Sequence, residues 1–152
     1  MSRPPNDSSL LWGSAADIES IFILQKRAVR AIYNLRPRDS LRDLFTEINI
    51  LTVASQYILD NFMYVKYYDS FLKKSDIHNI NTRNKAKLIV PNFRLCKTGG
   101  SFMGTCVKMY SKIPLKFTEM PYFRFKTHIK SILMTKGYYK LDDYFNDKTA
   151  WT

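Results

Sequence analysis

Adjacent carboxylates are the first residues in this chain that could do chemistry. Asp142 and Asp143 stand together in "YYKLDDYF", and such a pair can hold two Mg²⁺ ions for phosphoryl transfer. A hairpin that presents carboxylates in this way reads Tyr-x-Asp-Asp between two strands. Counted from Tyr139 the spacing here is Tyr-x-x-Asp-Asp. The surroundings read as the start of a short C-terminal helix, where acids suit the helix dipole. The pair is therefore expected to serve a helix start, not a metal.

The soft metal ligands are His78, Cys96, Cys106 and His128, separated by 18, 10 and 22 residues. None forms a CxxC or HxxxH pair, so no metal site is expected, only reduced thiols and surface imidazoles. Nucleophilic catalysis would need a nucleophile, a base and an orienting group. The chain has no GxSxG, no P-loop and no GxGxxG, so neither a catalytic residue nor a cofactor is assigned.

Charge gives a stronger signal. The 152 residues hold 24 Lys and Arg against 13 Asp and Glu, a formal net charge of +11. That balance favours polyanionic partners. Residues 26–42 carry six cations against one acid, residues 73–97 seven against one, and residues 108–140 eight against one. Phe93, Phe102, Tyr110, Phe117, Tyr122, Phe123 and Phe125 interleave the later clusters. Cations neutralise phosphates and exposed aromatics can stack on bases. Most of these aromatics fall at helix spacing and are expected in the core. Arg83, Lys85 and Lys87 sit in a polar stretch with no packing role, and are expected to be functional.

The elements that must position these groups read as helices. Residues 1–9, polar with two Pro, are expected to be disordered, and residues 147–152 to form a tail. Between them the periodicity predicts a mostly α fold, with five or six helices around one core and an irregular extended segment near residues 73–100. The first helix spans Asp17 to Leu35, with Ile18, Ile21, Phe22, Val29, Ile32 and Tyr33 on its core side. Lys26, Arg27 and Arg30 form its basic back. A short helix from Leu41 to Ile48 follows, with Ser40 and Asp43 spaced as a capping box and Leu41, Leu44, Phe45 and Ile48 facing in. Thr52 caps a helix from Val53 to Leu72 whose stripe includes Tyr57, Ile58, Phe62, Val65 and Tyr68. Further helices are expected from Ser101 to Ile113 and from Tyr122 to Lys136. The latter packs Phe125, Ile129, Ile132 and Leu133 inward and ends at Gly137. A last helical turn falls in "YYKLDDYFN".

A series of short motifs follows in order along the chain. "LLWG" leads into a helix carrying Leu24, Gln25, Lys26, Arg27, Ala28, Val29 and Arg30. An "LF-E-ILT" motif is matched by Leu44, Phe45, Glu47, Ile50, Leu51 and Thr52. "HNINTRN" matches an H-[NS]-Y-NTRN pattern at His78, Asn79, Asn81, Thr82, Arg83 and Asn84. Leu88, Pro91, Arg94 and Leu95 come next, then Gly104, Lys108, Tyr110, Ile113 and Pro114, then Phe125, Ile129, Lys130 and Leu133. This order of motifs resembles the region that follows the polymerase core in non-LTR, LINE-type (jockey-like) retrotransposon reverse transcriptases, and the resemblance runs from about Leu10 to Phe145.

The resemblance implies a thumb-like helical region that handles nucleic acid beside a palm. This chain contains no Tyr-x-Asp-Asp motif, so it is not expected to be an enzyme by itself. RNA or an RNA/DNA duplex is the implied partner, together with the rest of a polymerase. The implied phosphate contacts are Lys26, Arg27, Arg30, Arg83, Lys85, Lys87 and Arg94, with Asn81 and Asn84 as polar partners. A different expectation is a structural or nonfunctional fragment that needs the rest of a polymerase to fold. A third is attachment to anionic membranes through the basic Phe125–Lys136 helix. The N-terminal apolar run, Leu10 to Trp12, is too short for a signal peptide and no segment is long enough to span a bilayer. A cytoplasmic or nuclear setting is therefore expected.

Overall fold

The computed structural model describes residues 15–68, 88–89 and 102–151. Among the described residues seven helices succeed one another: α1 (Ala15–Ile32), α2 (Arg42–Glu47), α3 (Val53–Tyr67), α4 (Phe102–Tyr110), α5 (Leu115–Thr118), α6 (Tyr122–Lys136) and α7 (Leu141–Asn146). No strand occurs among the described residues, and the fold is mostly α as expected. Most of the expected extended segment at 73–100 lies outside the described residues.

Helix α3 is the centre. It packs against α1, α4 and α6, and Ala54, Tyr57, Ile58, Leu59, Phe62, Met63 and Val65 are all buried. The sequence predicts a one-sided stripe; the structure buries this helix on nearly every side. A helix covered all round must be apolar all round, and the small Ala54 and Ser55 let its neighbours approach. Phe62 is fully buried between Tyr110, Tyr144 and Trp151, with ring centroids 5.9 to 6.3 Å apart within this aromatic group. The tail is thus tied to the core, with Ala150 also buried. A smaller cluster of Phe22, Val29, Leu41 and Phe45 holds α1 against α2.

Burying the start and middle of α3 forces their polar groups to find protein partners. Thr52 caps it as predicted, accepting from Ser55 N–H at 3.2 Å; its hydroxyl donates to the Tyr138 carbonyl at 2.5 Å. Gln25 does a second capping job from a distant helix. Its Nε2 donates to the Leu51 carbonyl at 2.9 Å, and its Oε1 accepts from Val53 N–H at 3.0 Å. In the middle of α3, Asn61 Nδ2 donates to the Tyr57 carbonyl and Asn61 Oδ1 accepts from the Cys106 thiol, both at 2.6 Å. Burial pushes that thiol up to about 12, so it stays a neutral donor.

Several boundaries differ from expectation for local reasons. Ile32 and Tyr33 are 75% and 47% exposed instead of packed. Helix α1 ends at Ile32 and the chain turns away at Asn34, which adopts a left-handed φ of 52°. Ser40 and Asp43 form no capping box: buried Leu41 occupies the cap position of α2 and makes no side-chain cap bond. Ser40 is one place early and only meets Arg42 N–H at 3.5 Å. Helix α3 stops at Tyr67, leaving Tyr68 39% exposed. Leu72 lies outside the described residues. Ile132 is half-buried, because Phe125, Ile129 and Leu133 already fill the inward face of α6. Helix α5 has no counterpart among the expected elements; Pro114 starts this single turn and Phe117 anchors it in the core. Helix α6 matches its predicted span and ends at Gly137 with φ 55°, a conformation that favours glycine.

The Gln25 clamp is directly testable. Gln25→Ala should lower the unfolding free energy by about 1–3 kcal/mol, since it strands a half-buried N–H and a carbonyl. Gln56→Ala, which removes only an exposed bond to Asp60, should change it by less than about 0.5 kcal/mol. Urea titrations of the two variants check this; equal effects would refute the clamp.

Candidate nucleic-acid interface

The expected phosphate contacts on α1 take three different positions. Arg27 is exposed, on the side away from Ile18, Phe22 and Val29. Lys26 is half-buried and its ammonium lies 4.6 Å from the centre of the Phe22 ring. Arg30 is also half-buried. Its Nη2 donates to the Asp39 carbonyl at 3.2 Å, while its Nε is buried without a hydrogen-bond partner. Arg30 therefore holds the α1–α2 turn as much as it faces solvent. Asn81, Arg83, Asn84, Lys85, Lys87 and Arg94 lie outside the described residues.

The α1–α2 turn adds cations that the sequence shows only as part of a general cluster. Asp39 accepts from Arg36 N–H at 2.8 Å and its own N–H donates to the Arg36 carbonyl at 3.1 Å. This tight turn engages the one carboxylate of the segment with backbone, and Arg36 and Arg38 project from it exposed.

Helix α6 carries the clearest basic face. No Asp or Glu occurs from Met120 to Leu141. Phe125, Ile129 and Leu133 are buried, which turns Arg124, Lys126 and Lys130 to the surface. Phe123 is 70% exposed, against the expectation that it joins its aromatic neighbours in the core. Its position was legible: Phe125, Ile129 and Leu133 repeat at four-residue spacing, and Phe123 is off that row. Of the other interleaved aromatics, Tyr110, Phe117 and Phe125 are buried as expected and Tyr122 is half-buried. Phe93 lies outside the described residues.

Of the groups that could do covalent or metal chemistry, Cys106 and Asp143 make structural hydrogen bonds, and His78 and Cys96 lie outside the described residues. Asp143 accepts from the N–H groups of Lys140 and Tyr139 at 2.9 and 3.1 Å, starting α7, and Asp142 lies exposed in its first turn. Lys112 closes the other end of α7, donating to the carbonyls of Tyr144, Phe145 and Asp147 at 2.8 to 3.3 Å. Burial holds its ammonium below the ordinary lysine value. His128 is exposed with its ring 4.8 Å from that of Phe117. Among the described residues no three His, Cys, Asp or Glu side chains group as a metal would need. No described helix is long and apolar enough to cross a membrane.

One cluster of titratable groups remains, and it fastens the C-terminal segment. Asp147 Oδ2 accepts from the Tyr138 hydroxyl at 2.7 Å and lies 3.2 Å from Lys136 Nζ; its Oδ1 accepts from Thr149 N–H and hydroxyl. The Tyr138 hydrogen bond, with help from Thr149 and Lys136, holds this carboxyl far below the usual carboxylate range. Burial pushes the Tyr138 hydroxyl up, so it remains a neutral donor. A carboxyl whose folded value is depressed stabilises the fold above its unfolded value, about 3.9. That contribution disappears as pH falls below it. Asp147→Asn should therefore be less stable than the parent at neutral pH, and the two should converge as pH drops below about 4. Thermal unfolding across that range checks this; a gap independent of pH would overturn it.

Comparison with protein-family models, with curated proteins and with solved structures gives no match for this chain.

Proposed function

We propose that this chain is a nucleic-acid-contacting helical module, the post-palm part of a non-LTR retrotransposon reverse transcriptase. Its task on this reading is to hold template RNA or a primer–template duplex by the phosphates beside a polymerase palm. It catalyses nothing by itself. The observation that carries the reading is the acid-free, outward cation row of α6, with Arg27, Arg36 and Arg38 exposed elsewhere. Cations left without acids on a surface are what counterion release from a polyanion exploits. The ordered motifs, from Gln25-Lys26-Arg27 through Asn81-Thr82-Arg83-Asn84 to Phe125 and Leu133, supply the link to reverse transcriptases.

Phosphate contacts of this kind position a strand without reading its sequence. Reversing the charges of Arg83, Lys85 and Lys87 should weaken RNA binding. It should also flatten the slope of log affinity against log salt by about two to three, near 0.7–0.9 for each phosphate no longer neutralised. Fluorescence anisotropy over a salt series measures both. An unchanged slope would remove those three residues from the interface.

One observation favours a second reading, in which the chain is a structural fragment completed by other parts of a polymerase. Leu24, Ile23 and Ile32 on α1 are 60%, 46% and 75% exposed. Exposed apolar side chains grouped on one helix mark a surface that packs elsewhere. Size-exclusion chromatography separates the readings. A monodisperse monomer that binds RNA supports the module, whereas aggregation relieved by polar substitution of Leu24 and Ile32 supports the fragment.

A further inference from the structure

Three aromatic rings meet at the surface where α3 ends and α6 begins. The Tyr67 and Tyr122 centroids are 6.2 Å apart at 70°, and those of Tyr122 and Phe123 5.8 Å apart at 89°. Tyr67 is 38% exposed and Phe123 70%. The junction is fixed from below. Lys66 donates to the Thr118 carbonyl and its ammonium lies 5.7 Å from the centre of the buried Phe125 ring. Helix α6 itself is anchored by Phe125 and Ile129, both fully buried. The rings are thus held on two packed helices, so presenting them to a ligand costs little ordering entropy.

What lies beside the rings selects the ligand. Three and seven residues beyond Phe123 on α6 stand Lys126 and Lys130, both exposed, and Arg124 adjoins it. Seven residues of helix span about 10 Å. There Thr127, Lys130 and Ser131 line an open groove closed on its other side by Asn49, and none of its lining residues is acidic. Burial, with Tyr67 and Asp60 nearby, raises the Tyr122 hydroxyl and keeps it protonated. Buried centres of protein–protein interfaces are rich in aromatics but poor in Lys; here Lys flanks the rings.

We infer that this aromatic corner and the adjoining cation row of α6 bind single-stranded nucleic acid, with a base stacked on Phe123 and the following phosphates on Lys126, Lys130 and the Ser131 hydroxyl. The inference rests on the nucleic-acid reading above and goes beyond it by choosing the strand state. A base inside a duplex has both faces covered by its neighbours, so a solvent-facing ring can stack only on an unpaired one. The backbone grip alone would not distinguish the two.

The test uses the whole chain with two fluorescent probes, a short oligouridylate and an RNA duplex of equal length. Phe123→Ala, at a surface position that the fold does not need, should weaken oligouridylate binding about 5- to 150-fold, the range for removing one base–aromatic stack. It should leave duplex binding within about 2-fold, and Phe123→Trp should restore the affinity. Lys126→Glu with Lys130→Glu should weaken both probes. If that double variant weakens both while Phe123→Ala changes neither, the single-strand assignment is wrong and the module reading stands. If neither the double variant nor reversal of Arg83, Lys85 and Lys87 affects either probe, the nucleic-acid reading fails and this inference with it. Sedimentation showing a dimer that Phe123→Ala splits would assign the rings to a contact between copies and overturn the proposal.

Discussion

The start of α3 is the point on which the rest of the structure depends. A helix that begins inside a core presents N–H groups that water cannot reach, and each one left bare costs about 1–3 kcal/mol. Here the solution is made by three separated parts of the chain. Thr52 serves the helix from its own cap position, and Tyr138, just beyond α6, takes the Thr52 proton in a hydrogen bond. Gln25, in the middle of α1, bridges the carbonyl before the cap and the first helical N–H. Hydrophobic contact alone would let α1 and α6 slide on α3, since it is non-directional. These bonds have fixed geometry and pin both helices at one level.

The exposed face of α6 follows from that pinning. With α6 held at its end by Thr52 and along its length by Phe125, Ile129 and Leu133, its remaining positions have no choice of side. Arg124, Lys126 and Lys130 go outward because the inward row is full. The turn after α1 is fixed in a similar way, with Arg30 beneath the Asp39 carbonyl and the Asp39 carboxylate on backbone N–H. Several acids in this protein are engaged in such duties: Asp39 in a turn, Asp143 at a helix start, Asp147 in the C-terminal segment.

The sequence showed the helices well where a single rule governed them. Four-residue spacing of Phe125, Ile129 and Leu133 and the Gly137 stop place α6 end to end. Thr52 marks the start of α3 because a threonine before an apolar run has one common job. The failures come where tertiary contacts decided. Nothing local says that Gln25 reaches a helix start 28 residues away, so it was legible only as a letter in a motif. Ser40 and Asp43 have capping-box spacing, yet burying Leu41 moved the cap by one residue. Ile32 belongs to the apolar periodicity of α1 but falls on a turn that overhangs the core. Of the candidate site, Arg27 was legible as a cation off the core stripe. Phe123 is hidden among aromatics that are mostly core residues, and only the four-residue row that it misses sets it apart.

The charge distribution also bears on folding. A net charge of +11 on a chain of this size opposes compaction through self-repulsion, and the cations crowd onto a few elements. The described ion pairs, Lys136 with Asp147 and Lys140 with Glu19, relieve only part of that, since exposed pairs contribute little. A polyanion laid along α6 would neutralise the repulsion that the fold cannot, and anything that binds the folded state alone stabilises it by mass action. On the proposed reading, the same cations that weaken the isolated chain would be its means of recognition. The directional bonds at α3 supply the rigidity that keeps them, and the ring beside them, on one face while they wait.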